Sequence, residues 1–137
     1  MRSEANPDEA ELLERARSAA KAAYAPYSNF RVGAAVITDV GIFTGCNVEN
    51  TSYGLSMCAE RNAIFAAAAA GARIIRSVAV SCIDAKPELG LSGRMPCGAC
   101  RQVIVEFADR NSEVSVVVDG AGVWTVEELL PESFRLG

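Results

Sequence analysis

The spacing of hydrophobic and polar residues divides the chain into alternating helical and extended segments. The first helix is expected to start at Asn6-Pro7, because asparagine suits the N-cap and proline the first helical position, and to end near Ala25, just before Pro26. Two more helices are predicted, from Cys58 to Ala70, which is rich in alanine, and from Pro96 to Asp109, which begins with proline.

Apolar, β-branched runs between these helices predict strands. The predicted strands are Arg31–Thr38, Ile42–Val48, Ile74–Ser81 and Val114–Val118, with Val123–Val126 as a possible fifth. The first two are separated by a short turn and read as an antiparallel hairpin, whereas the later alternation of strands and helices predicts parallel crossovers. We therefore expect an α/β fold: a single three-layer α-β-α domain over residues 1–137 with a mixed, mostly five-stranded sheet.

Composition and charge narrow the possible partners. The longest apolar run, Ala63–Ala70, is far shorter than a membrane span, and the N-terminal residues are polar and acidic, so a cytoplasmic location is predicted. The net charge is −4 and the basic residues do not cluster, which argues against a nucleic acid polymer as substrate. Four scattered arginines, at positions 73, 76, 94 and 110, are interpreted as solvated surface charge.

The chain contains no histidine and five cysteines. Without an imidazole, neither a Ser-His-Asp nor a Cys-His nucleophile system can form. General acid–base chemistry then falls to Glu, Asp, Lys, Tyr or a water bound to a metal. Cysteines in a protein without a secretion signal more often serve metals or catalysis than disulfides.

Three of the cysteines stand at helix starts. Cys97 and Cys100 have C-x-x-C spacing directly after Pro96, and Cys58 begins the preceding helix. Helix N-termini stabilise thiolates, and three sulfur ligands suit a tetrahedral Zn²⁺ whose fourth position holds water. Glu60, two residues after Cys58, is then the candidate acid–base group.

Two features bear on this interpretation. Arg61 could offset the negative charge of three thiolates on one zinc ion by donating hydrogen bonds to them. Cys82, at the end of the third predicted strand, could instead supply a fourth thiolate and close the site, which would make the zinc structural.

The motifs CAER (58–61) and PCGACRQ (96–102) resemble the zinc-dependent cytidine deaminase family. The resemblance extends through APYSNFRVGAA (25–35), GCNVEN (45–50) and TVEELLPESF (125–134), so it covers nearly the whole chain. It implies a small homotetrameric enzyme of pyrimidine salvage that converts cytidine and deoxycytidine to uridine and deoxyuridine and releases ammonia.

The resemblance also implies a role for each matching residue. Cys58, Cys97 and Cys100 hold Zn²⁺, Glu60 moves protons, and Arg61 and Gln102 support the thiolates. Phe30 packs on the pyrimidine, Asn47 and Glu49 bind the ribose, the Ala59 backbone contacts the base, and Tyr53 and Phe134 reach into a neighbouring subunit's pocket.

One segment departs from the family pattern. The loop from Asp84 to Met95 is longer than the usual link to PCGAC and enters the metal site, which raises the hypothesis that N4-substituted or ring-modified cytidines are tolerated. Two alternatives remain open at this point: a deaminase of a cytosine-bearing antibiotic of the blasticidin S type, and a binding module in which zinc is only a structural staple.

Overall fold

A computed structural model describes residues 1–136, and within them a five-stranded sheet has the order β2-β1-β3-β4-β5. The strands are β1 (Val32–Thr38), β2 (Gly41–Cys46), β3 (Ile75–Cys82), β4 (Ser115–Val118) and β5 (Gly122–Thr125). The helices are α1 (Pro7–Ala20), α2 (Ala59–Ala69), α3 (Gly98–Phe107) and α4 (Val126–Leu129). Strands β3 and β4 are parallel and the other pairs antiparallel, which confirms the predicted mixed sheet.

Helices cover both faces of this sheet. Successive residues of a strand point to opposite faces, so the apolar runs in β1, β3 and β4 supply two cores at once. On one face Val36, Val78 and Val116 join Ile64 of α2 and Ile104 of α3; on the other, Ala35, Ala79 and Val117 join Leu12 and Ala16 of α1. The predicted three-layer arrangement is confirmed.

Two glycines let helices lie directly on the sheet backbone. A Cβ atom on Gly33 would stand 1.9 Å from the Ala16 carbonyl oxygen of α1. A Cβ atom on Gly45 would stand 2.4 Å from the Ala63 nitrogen and 2.8 Å from the Ala59 oxygen, both in α2. The position of α2, and of the residues at its N-terminus, therefore depends on the missing side chain at Gly45.

Replacing Gly45 by alanine is expected to lower the free energy of unfolding by about 1–3 kcal/mol, because the new methyl group meets helix backbone that cannot rotate away. Denaturant unfolding measures the effect. Gly54→Ala is the matched control, since a Cβ there would meet no atom within 4 Å. Equal stability of the two variants would contradict the close packing described here.

Helix α1 begins as expected but ends early. The Asn6 side chain accepts a hydrogen bond from the Glu9 N–H, and the Glu9 carboxylate accepts one from the Asn6 N–H, so the predicted cap is present as a full capping box. The predicted end near Ala25 is wrong, because the helix stops at Ala20. The backbone of Tyr24 pairs instead with Asn47 and Glu49, at 3.0 and 2.9 Å, and so leaves the helical path.

Within residues 1–136, none of the helices combines the length and apolarity that a membrane span requires.

Candidate active site

The three predicted sulfur ligands converge at the N-termini of α2 and α3. The Sγ atoms of Cys58, Cys97 and Cys100 lie within 4.8 Å of one another. Cys58 and Cys97 are the N-cap residues of the two helices, and neither side chain makes a capping hydrogen bond, so both sulfurs are available to a ligand. Cys100 follows in the first turn of α3 and is fully buried. The fold thus brings together three cysteines that belong to two separate helices.

The donor set and its spacing fit a zinc ion. Tetrahedral Zn–S bonds of about 2.3 Å place sulfurs roughly 3.8 Å apart, which agrees with a cluster whose Cys97 and Cys100 sulfurs are 3.5 Å apart. A hydrogen bond from Cys100, helped by Arg61, lowers the pKa of the Cys58 thiol to about 5, and the same hydrogen bond raises the pKa of Cys100. A divalent cation takes the place of such shared protons when it binds thiolates.

Arg61, in the first turn of α2, places a cation beside this cluster. Its Nη2 donates to the Cys58 sulfur at 3.3 Å, and this contact raises the pKa of the guanidinium. The Arg61 Nε is buried without a hydrogen-bond partner among residues 1–136. The side chain is therefore held beside the sulfurs and has unused hydrogen-bonding capacity there.

Glu60 is a buried carboxyl group in the same place. It is only 5% exposed, and burial, with the negative charge of Cys58 as a further cause, raises the pKa of its carboxyl to about 7. A carboxyl group with such a pKa can both accept and donate a proton near neutral pH. Cys58 and Glu60 can reach the same cavity although they are two residues apart, because Cys58 lies outside the helix as the N-cap and Glu60 is the second helical residue.

A cavity of about 210 Å³, here called the thiol cavity, opens onto these groups. Its walls include Phe30, Asn47, Cys58, Ala59, Glu60 and Cys97. The structure thus brings an aromatic ring, a metal-binding cluster and a proton-transfer group to one cavity, a combination suited to hydrolysis of a bound heterocycle.

Cys82 also lines the thiol cavity but stands outside the sulfur cluster. Burial raises the pKa of its thiol to about 11, so this group is protonated at neutral pH. Its sulfur lies 3.8 Å from the Arg94 carbonyl oxygen. Within residues 1–136 the cluster has three sulfurs, and the four-sulfur alternative has no geometric support.

Asn47 and Glu49, both expected to bind ribose, lie in different cavities. The Asn47 side chain accepts from the Val32 N–H at 2.8 Å and donates to the Phe30 carbonyl at 2.9 Å, so it supports the backbone of the thiol cavity. Glu49 lines a second cavity of about 330 Å³ and accepts from the Tyr27 and Ser28 N–H groups and from the Ser28 hydroxyl. Contact of either residue with ribose stays a prediction.

Three other expected site residues are near the surface or differently engaged. Tyr53 is 77% exposed on the second cavity, and Phe134 is 70% exposed, so their roles in a neighbouring subunit stay predictions. Gln102 donates its amide to the Phe134 carbonyl oxygen at 3.0 Å. The contact seen for Gln102 therefore anchors the C-terminal segment, and its support of the thiolates stays a prediction.

Arg94, one of the four arginines interpreted as solvated surface charge, is half-buried rather than fully exposed. Arg94 lines the thiol cavity together with Gly93 and Met95, and its guanidinium donates to the Lys86 carbonyl at 2.8 Å. The loop from Asp84 to Met95 thus does reach the metal-binding side, as its length and position indicated. A lone arginine in a Gly-rich loop carries no sequence signal for this placement, because the loop's path depends on contacts across the fold.

Comparison with known proteins agrees with this geometry. Residues 7–117 match the family model described as the cytidine and deoxycytidylate deaminase zinc-binding region. A cytidine deaminase from Sporosarcina psychrophila is 39% identical over 130 residues, which cover 93% of this chain and 91% of that protein. One from Mycobacterium tuberculosis is 41% identical over 126 residues, or 91% and 88% of the two chains.

Solved structures show the same fold. The crystal structure of cytidine deaminase from Burkholderia pseudomallei is similar with a TM-score of 0.77 and 45% identity, over 91% of this chain and 98% of that one. That from Mycobacterium tuberculosis also has a TM-score of 0.77, with 38% identity over 96% of this chain and 100% of that one. On sequence, fold and the placement of its three sulfurs, this chain belongs to the cytidine and deoxycytidylate deaminase family of zinc-binding proteins.

Proposed function

We propose that this protein hydrolyses cytidine and deoxycytidine to uridine and deoxyuridine with release of ammonia. The observation that carries the proposal is the thiol cavity, which is lined by a buried glutamate and by two cysteines of the three-sulfur cluster. A purely structural zinc site has no need of a cavity or of a buried carboxyl group beside it.

Cys58, Cys97 and Cys100 hold the zinc ion, which when bound acts as a Lewis acid that makes water nucleophilic. With three protein ligands the ion would have a coordination position left for water, as in catalytic rather than structural zinc sites. The helix N-termini and Arg61 provide the positive charge that offsets the three thiolates.

Glu60 carries the protons of the reaction. It takes a proton from the attacking water and delivers it to N3 of the pyrimidine, while a C4–O bond forms. It then takes the proton of the new 4-hydroxyl group and transfers it to the 4-amino nitrogen, the C4–N bond breaks, and ammonia leaves as the former hydroxyl oxygen becomes the carbonyl of uridine. Burial of Glu60 shields its carboxyl group from bulk water.

The remaining side chains position the nucleoside. Phe30 packs on the pyrimidine ring, and the Ala59 backbone contacts its polar edge, since both line the thiol cavity. Asn47 and Glu49 contact the ribose. Tyr53 and Phe134, both strongly exposed in the single chain, complete the pocket of a neighbouring subunit in a cytoplasmic homotetramer that serves pyrimidine salvage.

Incubation of the purified protein with cytidine tests this proposal. The absorbance change of conversion to uridine should appear without added cofactor, stop after treatment with a zinc chelator, and return when zinc is restored. Metal analysis should give one zinc per chain. A protein that holds zinc but converts neither cytidine nor deoxycytidine would favour the non-catalytic alternative, and one that deaminates only a cytosine-bearing antibiotic would favour the other.

Replacing Arg61 by alanine is expected to weaken zinc retention in acid. Arg61 donates to Cys58 and contributes to the lowered pKa of that thiol. Without it the thiol pKa rises, protons compete with zinc more effectively at any given pH, and the pH of half-release moves upward. Dialysis over a pH series, with zinc measured at each step, gives that midpoint. An unmoved midpoint and an unchanged pH profile of activity would show that Arg61 does not compensate the thiolate charge.

A further inference from the structure

An ion pair links the chain on either side of the thiol cavity. The Arg31 guanidinium donates from Nε and Nη2 to the two carboxylate oxygens of Asp84, at 2.9 and 2.8 Å. The Arg31 backbone N–H donates to the same carboxylate at 2.8 Å. We call this three-bond contact the Arg31–Asp84 clasp. The guanidinium holds the pKa of the Asp84 carboxyl down at about 2, so the contact is ionised throughout the neutral range.

The clasp lies next to the aromatic wall of the cavity. Arg31 directly follows Phe30, and the Phe30 carbonyl and the Val32 N–H are both held by the Asn47 side chain. Asn29, on the other side of Phe30, has a left-handed backbone with φ of 55°. Phe30 is thus preceded by a backbone bend at Asn29 and followed by backbone that Asn47 and Asp84 hold.

Asp84 is also the first residue of the 84–95 loop, whose last residues line the cavity. At the far end of that loop, Arg94 donates to the Lys86 carbonyl, and Gly93, Arg94 and Met95 line the cavity. The loop continues into Cys97, which caps α3. One carboxylate therefore connects the segment that bears Phe30 with the segment that leads to two of the sulfur ligands.

We propose that Arg31 and Asp84 are positioning residues, which hold the Phe30 segment against the 84–95 loop and so set the affinity for the nucleoside. The role in affinity rests on the proposed function; the restraint on the backbone does not. Arg31 and Asp84 side chains are 45% and 25% exposed, and exposed ion pairs add little to global stability. Their effect is instead local, because a pocket wall that is already held in place need not be ordered when substrate binds, which favours affinity.

Steady-state kinetics of Arg31→Ala and Asp84→Ala test the proposal. KM for cytidine should rise by about tenfold in Asp84→Ala, which loses all three bonds, and by less in Arg31→Ala, which keeps the backbone bond, while kcat and zinc content change by less than about twofold. The double variant should resemble Asp84→Ala, because the two residues act through one contact. Arg15→Ala is the matched control, since Arg15 pairs with Glu11 on the exposed side of α1 at 3.9 Å.

Amide hydrogen exchange tests the restraint without reference to catalysis. The amide at position 31 should exchange at least about tenfold faster in Asp84→Ala than in the unmodified protein, and remain slow in Arg31→Ala and Arg15→Ala. If the unmodified protein proves inactive, the proposed function fails, but the exchange measurement still tests the clasp. Unchanged exchange in Asp84→Ala, or an unchanged KM in an active enzyme, would overturn the proposal, as would a loss of zinc that accounts for the whole effect.

Discussion

Replacing Glu60 by glutamine is expected to lower kcat for cytidine by about 10³-fold, with one zinc per chain retained. The side chain is almost fully buried in the thiol cavity, and its carboxyl pKa of about 7 suits repeated proton transfer. The glutamine amide has the same size and accepts hydrogen bonds, but it cannot take a proton from water or deliver one to N3. The absorbance assay gives kcat, and elemental analysis of the same preparation gives zinc.

Glu106→Gln is the control for this substitution, because Glu106 is an exposed glutamate on α3. It should retain full activity. Undiminished turnover by Glu60→Gln would remove Glu60 from the mechanism. Loss of zinc from Glu60→Gln would show instead that the carboxylate helps hold the metal, and the proton-transfer role would need another group.

Replacing Cys97 by alanine is expected to reduce both bound zinc and deamination to less than about a tenth. Two remaining sulfurs cannot hold the ion against competition from water and chelators, and the Lewis acid is lost with it. Cys97 is exposed and lies at the N-cap, so its removal leaves the buried core and α3 intact. The expected defect is therefore specific to the metal, and circular dichroism should show a folded protein.

Cys82→Ala is the matched variant, because it removes a cysteine from the same cavity without touching the sulfur cluster. It should keep its zinc. If both variants lose zinc to the same extent, the site has four sulfurs and the structural alternative regains support. If neither does, the metal is held elsewhere.

Local features of the fold were predictable where the determining contacts are close in sequence. The Asn6 and Glu9 capping box needs only residues three apart, and the α2 helix follows from its alanine content. The end of α1 was not predictable, because Tyr24 leaves the helix to pair with Asn47 and Glu49, more than twenty residues away. Proline at position 26 suggested a later boundary, but a tertiary contact ended the helix first.

The functional site likewise has some features that follow from local sequence and others that depend on tertiary contacts. Cysteine at two helix N-caps is a local pattern with a clear chemical meaning, so the ligands and Glu60 could be proposed from spacing alone. The clasp could not, since Arg31 and Asp84 meet only because β1 and β3 pair antiparallel with Val32 opposite Cys82. That register places the residue before β1 beside the residues after β3. Likewise, no motif indicated that Arg94 reaches the thiol cavity or that Gln102 anchors Phe134.

The sequence by itself determined the chemistry available to this protein: thiolates for a zinc ion, a carboxyl group for protons, and no imidazole. This chemistry depends on residue identity and on spacing within one helical turn. Only the tertiary structure decided that three sulfurs rather than four meet, that Glu60 is buried beside them, and that Asn47 and Glu49 face different cavities. The physical reason is that distance and burial at the site are set by strand register and by helix packing on Gly33 and Gly45, which are contacts between residues far apart in the chain.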